Sequence, residues 1–388
     1  MERNGKHIRL GALGDEFFDA RLGGFGGFGW ATRMLADCFV GHPERGVDLV
    51  FFSNRLRQNG VRETCVHDTR LVLRGNNRAQ DWRNLRRERL DLLLLFDYNL
   101  GYRFHCAALA RTPVALWARD PRTLEDWEKI RTLQIPGQEN APPQGIVPND
   151  CNSVAALARL SRWARRPFLF ATPNPAFAEK MRGAFGVESE LLFLPNVIRP
   201  FPGAPTKSNR PRVVFLGRLD PIKRPWIAVE LARRLPDVEF LLLGTAHYRG
   251  AGGWEPRDLP PNIQAIGQAD EEQKWRALAS AWVVVNTSIH EGLAVSFLEA
   301  LACETPIVSC VNPAGIVERY GIFVGTWLGT GLDGVPSFAA ALEKLLRDDV
   351  LRARLGKAGR AWVNATHTEA RFLESFSALC QRAGVGRQ

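Results

Sequence analysis

The sequence predicts an α/β protein made of two doubly wound, Rossmann-like domains. Short runs of apolar and β-branched residues alternate with helical patterns along the chain, which is typical of a parallel sheet covered by helices on both faces. The pattern restarts after the proline-rich stretch Arg199–Arg212. With 388 residues, of which 45% are apolar and 24% are charged, the chain has the size and composition of about two globular domains.

The first domain is predicted to span residues 1–200. Its strands are the short apolar runs, and its first helix is a helical pattern that follows a glycine-rich loop. The predicted strands are His7–Leu13, Asp48–Ser53, Leu92–Phe96, Val114–Ala118, Phe168–Ala171 and Leu191–Leu194, and the predicted helix is Gly29–Phe39.

The second domain is predicted to span residues 201–365. A closing helix in residues 366–388 is expected to pack back across the domains. The predicted strands are Val213–Leu216, Phe240–Leu243, Ile263–Ile266, Trp282–Asn286 and Pro306–Ser309, and the predicted helical segments are Trp226–Arg234, Lys274–Ser280 and Leu293–Ala302. Ligands of open parallel sheets bind beyond the carboxyl ends of the strands, so the loops there are the first place to look for a site.

The composition excludes several classes of protein. The longest purely apolar runs, Leu92–Phe96 and Ala281–Val285, are far shorter than the roughly 20 residues that a membrane span needs. The first residues lack the apolar stretch of a secretory signal, so we expect a cytoplasmic protein. The seven cysteines are scattered and form no C-x-x-C pair, which argues against a disulfide framework or a structural zinc site. No bound metal or cofactor is expected.

The charge is strongly positive, with a net value of +10. Arg74–Arg89 alone contains six arginines, and Arg162, Arg165 and Arg166 surround Trp163. A basic face suits phosphate-bearing ligands, an anionic membrane surface or nucleic acid. Nucleic acid is not expected as a partner. A solvated arginine-rich face and a peripheral contact with the inner membrane face both remain open.

The strongest motif is His290–Ala302, HEGLAVSFLEALA, which directly follows a predicted strand. Glu291 lies in the loop, and Glu299 follows eight residues later within the predicted helix. The first backbone amides of a helix have no intrahelical acceptor and lie at the positive end of its dipole, so they form an anion site. Gly292 lets the backbone approach a ligand closely. Carboxylates at these two positions would bind the vicinal hydroxyls of a sugar and of a ribose.

The second motif is Gly217–Pro225, GRLDPIKRP, which also follows a predicted strand. Arg218 and Lys223 lie on either side of a tight turn, so both can point at one phosphate group. Each contact between such a charge and a diphosphate contributes on the order of 4 kcal/mol before desolvation. The alternative is a basic turn that faces solvent.

Along the chain the basic turn comes first and the two-glutamate motif second. In that order the two motifs resemble those of the retaining GT-B glycosyltransferases of family 4. Glu291 and Glu299 match the family's E-x7-E element, and Gly217, Arg218 and Lys223 match its glycine-arginine-lysine turn. The segment Ala300–Val308, ALACETPIV, also looks like the family's EAMACGTPVV, with Glu304 in place of a glycine. The resemblance is close over about Pro167–Val324 and looser elsewhere.

The resemblance implies a role for each matching residue. Arg218 and Lys223 would bind the donor diphosphate, Glu299 the ribose, and Glu291 the donor sugar as a catalytic residue. The predicted donor-binding set is Gly26, Gly27, Gly217, Arg218, Lys223, Gly267, His290, Gly292, Leu293, Ala294, Val295, Ser296 and Glu299. The leaving phosphate would help to remove the proton of the acceptor, and the protein would mainly position and stabilise charge.

The first domain departs from the family pattern after the strand Val114–Ala118. Many members have a histidine there, whereas this chain has Arg119 followed by Asp120. The pair is predicted to be catalytic: Arg119 would bind the donor or an anionic acceptor, and Asp120 would orient the acceptor hydroxyl. A structural salt bridge between the two is the alternative.

The glycine-rich loop Gly23–Gly29, GGFGGFG, contains a formal G-x-G-x-x-G at Gly24, Gly26 and Gly29. The predicted strand ends about ten residues earlier, so the context argues against a dinucleotide site. We interpret Gly26 and Gly27 as the family's Gly-Gly loop, where the backbone approaches a ligand; a merely flexible loop is the alternative. His105 is predicted to be an ordinary buried helix histidine.

The sequence thus predicts a transferase that moves a sugar from a UDP-, GDP- or ADP-linked donor to an acceptor hydroxyl with retention of configuration. The basic first domain favours an acceptor that is anionic or lipid-linked. Two alternatives remain: a GT-B-like epimerase or phosphorylase, and a nucleotide-sugar-binding protein without transferase activity. The nucleotide base, the sugar, the acceptor and the oligomeric state cannot be read from the sequence.

Overall fold

The computed structural model describes residues 7–18, 22, 26–53, 56–58, 60–99, 101–146, 152–186 and 188–386. The chain divides into two compact units. The first contains Met1–Thr123, Asn149–Val197 and Glu369–Gln388, and the second contains Leu124–Pro148 and Ile198–Thr368. Residues 124–148, which the sequence analysis placed in the first domain, therefore group with the second unit.

The first unit is built on an eight-stranded sheet with the order β3-β4-β2-β1-β5-β6-β7-β8 among the described residues. All neighbouring pairs are parallel except β3 and β4, which form an antiparallel hairpin. The strands are β1 Ile8–Gly14, β2 Val47–Ser53, β3 Glu63–Val66, β4 Thr69–Val72, β5 Leu92–Phe96, β6 Val114–Trp117, β7 Phe168–Thr172 and β8 Leu191–Phe193.

Helices cover this sheet because the strands between them are apolar on both faces; every residue of β5 is buried. Helices are numbered along the chain, and α4 belongs to the second unit. Those of the first unit are α1 Gly27–Phe39, α2 Arg78–Arg87, α3 Tyr102–Ala108, α5 Asn152–Trp163, α6 Ala178–Phe185 and the C-terminal α13 Glu369–Ala383.

The second unit has a six-stranded, all-parallel sheet with the order β11-β10-β9-β12-β13-β14. Its strands are β9 Arg212–Leu216, β10 Glu239–Leu243, β11 Ile263–Gly267, β12 Val283–Asn286, β13 Ile307–Ser309 and β14 Gly321–Phe323. Its helices are α4 Leu124–Arg131, α7 Pro225–Arg234, α8 Glu271–Ser280, α9 Val295–Ala302, α10 Ile316–Tyr320, α11 Val335–Arg347 and α12 Asp349–Thr366.

The predicted pair of doubly wound α/β units is confirmed, and two local expectations are corrected. Helix α9 begins at Val295 rather than at Leu293, because Ala294 is an extended N-cap residue with φ −60° and ψ 127°. Helix α1 begins at Gly27, two residues before its predicted start. Each shift is about half a helical turn, but the first changes which amides face outward from the helix end.

The hairpin β3–β4 was not predicted from the sequence. Its two turn residues, His67 and Asp68, both have positive φ values, of 47° and 57°. Glycine or asparagine normally provides this conformation in a two-residue hairpin turn, and neither is present here. The turn is stabilised in part by the Thr69 hydroxyl, which donates to the carbonyl oxygen of His67 at 3.1 Å.

Candidate functional site

In the second unit, the loops that follow β9 and β12 are bound to each other through their backbones. The amide of Ile289 donates to the carbonyl oxygen of Ile222 at 3.0 Å. The hydroxyl of Thr287 donates to the carbonyl oxygen of Lys223 at 2.7 Å. Since β9 and β12 are neighbours in the sheet, the two predicted motifs lie at the same edge and form one assembly.

Arg224, which lies beneath the protein surface, connects the two loops through its side chain. The residue is fully buried and has a left-handed backbone, with φ 47°. Its guanidinium donates to the carbonyl oxygens of Thr287 at 2.8 Å, Ser288 at 3.2 Å and Trp327 at 2.7 Å. Sequence reasoning missed Arg224, because beside Lys223 it looked like another surface cation.

Lys223 and Glu291 form an ion pair, with 2.6 Å between Nζ and Oε1. The same oxygen of Glu291 accepts hydrogen bonds from Ser288 Oγ at 2.7 Å and Asn286 Nδ2 at 3.1 Å. Burial acts to raise the pKa of this carboxyl group, but the Lys223 ammonium and the three hydrogen bonds outweigh it and hold the pKa below its usual value. Glu291 is therefore a fixed carboxylate.

Arg218 lies on the same loop and has its own acidic partner. Its Nε is 3.1 Å from Oδ2 of Asp220, and the Asp220 side chain is almost completely buried. Arg218 keeps a third of its side-chain surface in contact with solvent. Asp220 thus fixes the position of a guanidinium group that is still partly exposed to solvent.

The start of α9 provides backbone donors beside these cations. Its N-cap residue, Ala294, has no side-chain oxygen to accept from the first amides, and its first turn contains no acidic residue. The amides of Val295 and Ser296 consequently have no cap from this helix's own side chains. Leu293 and Ala294, predicted as helical, instead belong to the loop before the helix.

Glu299 lies within α9 and is buried. Its Oε1 forms an ion pair with Nζ of Lys274, which lies on α8 and is equally buried. A buried carboxylate needs a compensating charge, which Lys274 supplies. The sequence analysis did not single out Lys274, because a lysine in a helix that begins EEQK reads as part of a polar surface.

The predicted glycines lie at the carboxyl ends of neighbouring strands. The amide of Gly217 donates to the carbonyl oxygen of Leu243 at 3.0 Å, and Gly244 donates to that of Gly267 at 2.8 Å. A Cβ atom at Gly244 would collide with the carbonyl group of Gly217. Gly267 has φ 77° with open space where a side chain would be, so its backbone is accessible.

His290 precedes the fixed carboxylate and is buried. Its Nδ1 lies 3.4 Å from Oδ1 of Asp126, which belongs to α4. This contact is internal to the second unit, and Trp127 and Ile130 of α4 also pack into the hydrophobic core of that unit. Sequence reasoning missed Asp126, because nothing in the sequence indicates that residues 126 and 290 are in contact.

In the first unit, Arg119 and Asp120 lie in the turn after β6, and Asp97 positions this turn. Asp97 follows β5 with φ 55°, and its two carboxylate oxygens accept the amides of Arg119 and Asp120 at 3.2 and 3.0 Å. Asp120 also accepts from Arg122 at 2.7 Å. The arginine that pairs with Asp120 in this structure is therefore Arg122.

Arg119 is buried, with its guanidinium carbon 4.7 Å from the centre of the Trp117 ring. Its Nη1 atom is buried and has no hydrogen-bond partner. Burial lowers the pKa of the guanidinium to about 10. Burial, followed by the charge of Asp120, raises the pKa of Asp97 to about 7. A buried guanidinium nitrogen without a hydrogen-bond partner is costly, which makes Nη1 of Arg119 a candidate anion ligand within this unit.

Gly26 and Gly27 lie at the start of α1. One carboxylate oxygen of Glu16, Oε2, accepts the amides of Gly26 at 2.8 Å and Gly29 at 3.2 Å. The chain's own carboxylate thus occupies the positive end of this helix. Gly24, the first member of the formal dinucleotide pattern, lies outside the described residues together with Gly23 and Phe25.

Two other predictions made from the sequence concern residues of the first unit outside these loops. His105 is buried, its Nδ1 lies 3.4 Å from the carbonyl oxygen of Gly101, and burial lowers its pKa to about 4. Arg166, which the sequence analysis placed in a surface patch, is buried and donates to carbonyl oxygens of Cys106 and Leu109. It is therefore a structural residue, unlike Arg162 and Arg165.

The described part of the chain contains neither a metal-binding cluster nor a helix suited to span a membrane. No three side chains of the His, Cys, Asp and Glu types come together there in a way that could hold a metal ion. None of its helices combines the length and the apolar character that crossing a bilayer requires.

Comparison with known families finds a match that lies within the second unit. Residues 200–362 match the family model described as Glycosyl transferases group 1. A D-inositol 3-phosphate glycosyltransferase of Kineococcus radiotolerans is 31% identical over 167 residues, which is 37% of this chain and 38% of that protein. A GDP-mannose-dependent phosphatidylinositol monomannoside mannosyltransferase of Corynebacterium glutamicum is 28% identical over 34% of this chain and 35% of that protein. The chain thus matches about a third of the length of these curated relatives.

Solved structures extend the likeness of fold to nearly the whole chain. Sucrose-phosphate synthase of Thermosynechococcus elongatus superposes with a TM-score of 0.69 at 16% identity, over 97% of this chain and 99% of that one. The Anabaena protein HepE, solved with UDP-glucose, gives 0.67 at 14% identity, over 97% and 100%. At such low identity the likeness establishes the GT-B fold alone.

Proposed function

We propose that this chain, whose residues 200–362 are a group 1 glycosyltransferase segment on a GT-B fold, transfers a sugar from a nucleoside diphosphate to an acceptor hydroxyl. The observation that carries the proposal is the paired loop assembly of the second unit. It brings Arg218, Lys223 and the start of α9 to the edge of the sheet where β9 and β12 end. Two cations and the start of a helix without a side-chain cap, at one strand edge, suit a diphosphate.

Each side chain has a proposed role in donor binding. Arg218 and Lys223 bind the diphosphate, and the amides of Val295 and Ser296 cap its oxygens. Glu291, held as a carboxylate by Lys223, binds hydroxyls of the donor sugar. Glu299 binds the ribose, and Gly267 offers its backbone to the base. These contacts would hold the donor so that charge growing on the leaving phosphate is stabilised where it forms.

The reaction is proposed to retain the configuration of the sugar, as in family 4. The acceptor hydroxyl would attack from the face that the diphosphate leaves, and the leaving phosphate would take the acceptor's proton. No enzyme nucleophile is needed for such a step. The proposal also needs no bound metal, because Arg218, Lys223 and the α9 amides supply the positive charge. Full activity in the presence of EDTA is the expected result.

The acceptor is proposed to carry an anionic group, which Arg119 would bind. The buried, unpartnered Nη1 of Arg119 supports this proposal. The names of relatives point the same way, since one is a D-inositol 3-phosphate glycosyltransferase and another acts on a phosphatidylinositol mannoside. The donor's base stays open, because one relative is named for GDP-mannose and a structural neighbour was solved with UDP-glucose.

The test is the thermal stability of the purified protein with UDP, GDP, ADP, TDP or NAD, each with and without magnesium. A diphosphate at 100 times its dissociation constant stabilises the folded state by about 2.7 kcal/mol. Arg218→Ala and Glu299→Gln should remove that shift, while Arg233→Ala, on the exposed side of α7, should keep it. A shift from NAD alone, or from none of the five, would refute the donor site.

Turnover separates the transferase from a binding protein or an epimerase. A transferase hydrolyses its nucleotide-sugar donor slowly when no acceptor is present, and free nucleoside diphosphate accumulates. A binding protein that shifts in the thermal assay would release none. An epimerase would return a nucleotide sugar with an altered sugar instead of free nucleotide.

A further inference from the structure

Three helices of the first unit form one continuous outer layer. The rings of Trp82 on α2 and Phe104 on α3 meet edge to face, with 6.2 Å between their centres. Arg166, just after α5, donates to the carbonyl oxygens of Cys106 on α3 and of Leu109 directly after α3, both at 2.7 Å. The outward surfaces of α2, α3 and α5 are therefore fixed side by side.

This layer carries many exposed arginines, and we call it the arginine face. Its members are Arg78, Arg83, Arg86, Arg87, Arg89, Arg103, Arg111, Arg159, Arg162 and Arg165, all exposed. Segments 78–89, 101–111 and 152–165 contain two acidic residues, Asp81 and Glu88, and both are buried. Glu88 accepts from Arg62 at 2.8 Å, and Asp81 binds the amide of Gly75. No acidic side chain of these segments is exposed to balance the arginines.

Large apolar side chains are exposed on the same face. Of the four exposed large hydrophobic residues described in the first unit, three lie here: Trp82, Leu160 and Trp163, with 39%, 43% and 84% of their surface exposed. Leu160 and Trp163 are three residues apart and share one side of α5. Isolated exposed apolar residues need no explanation, but a tryptophan–leucine pair surrounded by arginines does.

We propose that the arginine face attaches the protein to the surface of a bilayer that contains anionic lipid. Basic residues close to such a surface are attracted by its negative potential. Trp163, the most exposed of the three, would lie at the level of the headgroups, where tryptophan is enriched, with Leu160 and Trp82 in contact with the same layer. Arginine stems can cover apolar surface while the guanidinium groups reach phosphates.

The apolar pair favours a membrane over a nucleic acid. Tryptophan can stack on bases, but an aliphatic side chain such as Leu160 adds nothing to base or phosphate recognition. At a bilayer both side chains leave water, and the arginines around them face a dense layer of phosphates. The attachment is independent of sugar transfer, so either proposal can fail without the other.

The experiment is flotation of the full chain with vesicles of phosphatidylcholine alone, or with 30% phosphatidylglycerol, at low and high salt. We expect binding to the anionic vesicles only, weakened by salt. The triple variant Arg83→Gln, Arg86→Gln, Arg87→Gln should bind about 100-fold more weakly, since each basic residue near the surface contributes roughly a factor of five. The matched control removes three exposed arginines of the second unit: Arg249→Gln, Arg257→Gln and Arg354→Gln.

Trp163→Ser tests the apolar contact separately. It should weaken binding at high salt as much as at low salt, because the loss is not electrostatic. All variants change exposed side chains, so unchanged melting temperatures and an unchanged donor-induced shift establish that the fold and the donor site are intact. The proposal is overturned if anionic vesicles bind no better than neutral ones, or if the control triple weakens binding equally. Binding to single-stranded RNA but not to vesicles would also overturn it.

Discussion

At the scale of single residues, the two proposed donor-binding cations of the second unit are each paired with a carboxylate before any ligand binds. Lys223 is neutralised by Glu291, and Arg218 by Asp220. A diphosphate would therefore enter a site whose cations are held in place by carboxylates rather than one with free positive charge. Preorganisation of this kind lowers the cost of ordering side chains on binding, while the start of α9, whose first turn contains no acidic residue, adds positive potential.

Lys223→Met tests how strongly Lys223 and Glu291 are coupled. It leaves the Glu291 carboxylate mostly buried without its cation, so the pKa of Glu291 should rise and the free energy of unfolding should fall by about 1–3 kcal/mol at pH 7. The loss should shrink at pH 4, where the variant's carboxyl group can take up a proton. Urea unfolding at both pH values measures the effect.

A double-mutant cycle provides the control for that experiment. Adding Glu291→Gln to Lys223→Met should cost less than the sum of the single changes, because the stranded charge is gone. Lys129→Met breaks an exposed pair with Glu125 and should change stability by less than about 0.5 kcal/mol. Additive losses from Lys223 and Glu291 would contradict the coupling.

Asp97 should make the stability of the first unit fall as pH rises, the opposite of what the lowered pKa of Glu291 does in the wild-type second unit. The pKa of Asp97 is raised to about 7 in the folded protein from an ordinary value of 3.8. The folded state thus binds a proton that the unfolded state releases, so the free energy of unfolding should fall as pH rises from about 4 to about 7, and level off above. Asp97→Asn should flatten this part of the profile, as measured by urea unfolding across the range. An unchanged slope in the variant would show that Asp97 does not titrate there.

At the scale of helices and strands, sequence patterns predicted what local chemistry determines. Fully apolar runs such as Leu92–Phe96 became buried strands, and the helix Val295–Ala302 followed the E-x7-E pattern to within two residues of its predicted start. The hairpin around His67 and Asp68 was missed because its two-residue turn lacks the glycine of the usual Asn-Gly and Asp-Gly turns. The partners Lys274 and Asp126 were missed because side chains that meet across the fold leave no local pattern in the sequence.

The start of α9 permits a sharp test at this scale. Ala294→Asp would place a carboxylate at the N-cap, where it can accept from the first amides. It should stabilise the helix by about 0.5–1 kcal/mol. It should also weaken nucleoside diphosphate binding, because the new carboxylate takes the proposed position of the phosphate and repels its negative charge. Scanning calorimetry measures the change in stability, and titration calorimetry with the diphosphate found in the thermal assay measures the change in affinity.

Ala294→Ser is the matched control for the charge. Serine caps the same amides without a charge and should stabilise the protein similarly, but reduce diphosphate affinity much less than aspartate. If aspartate and serine have the same effect on affinity, or if neither has any, the α9 amides do not bind phosphate.

At the scale of the whole molecule, the chain passes from the first unit to the second and back twice, and it ends in the first unit. The last helix, α13, lies in the first unit and packs on β7 and β8. Phe372 and Phe376 of this helix contact Phe39 of α1, with 6.3 and 5.1 Å between ring centres, and Phe372 also meets Trp117 of β6. The first unit therefore cannot complete its core until the second has been synthesised.

Phe372→Ala should consequently destabilise the first unit while leaving the second intact. Phe372 is 1% exposed, and removing a buried phenylalanine side chain costs about 3–5 kcal/mol. The melting curve should split, with an early transition that no nucleotide shifts and a later one that a donor diphosphate still raises, because the proposed donor loops all belong to the second unit. Phe338→Ala, in the core of the second unit, should have the reverse effect. A single transition that moves equally in both variants would mean that the two units unfold as one.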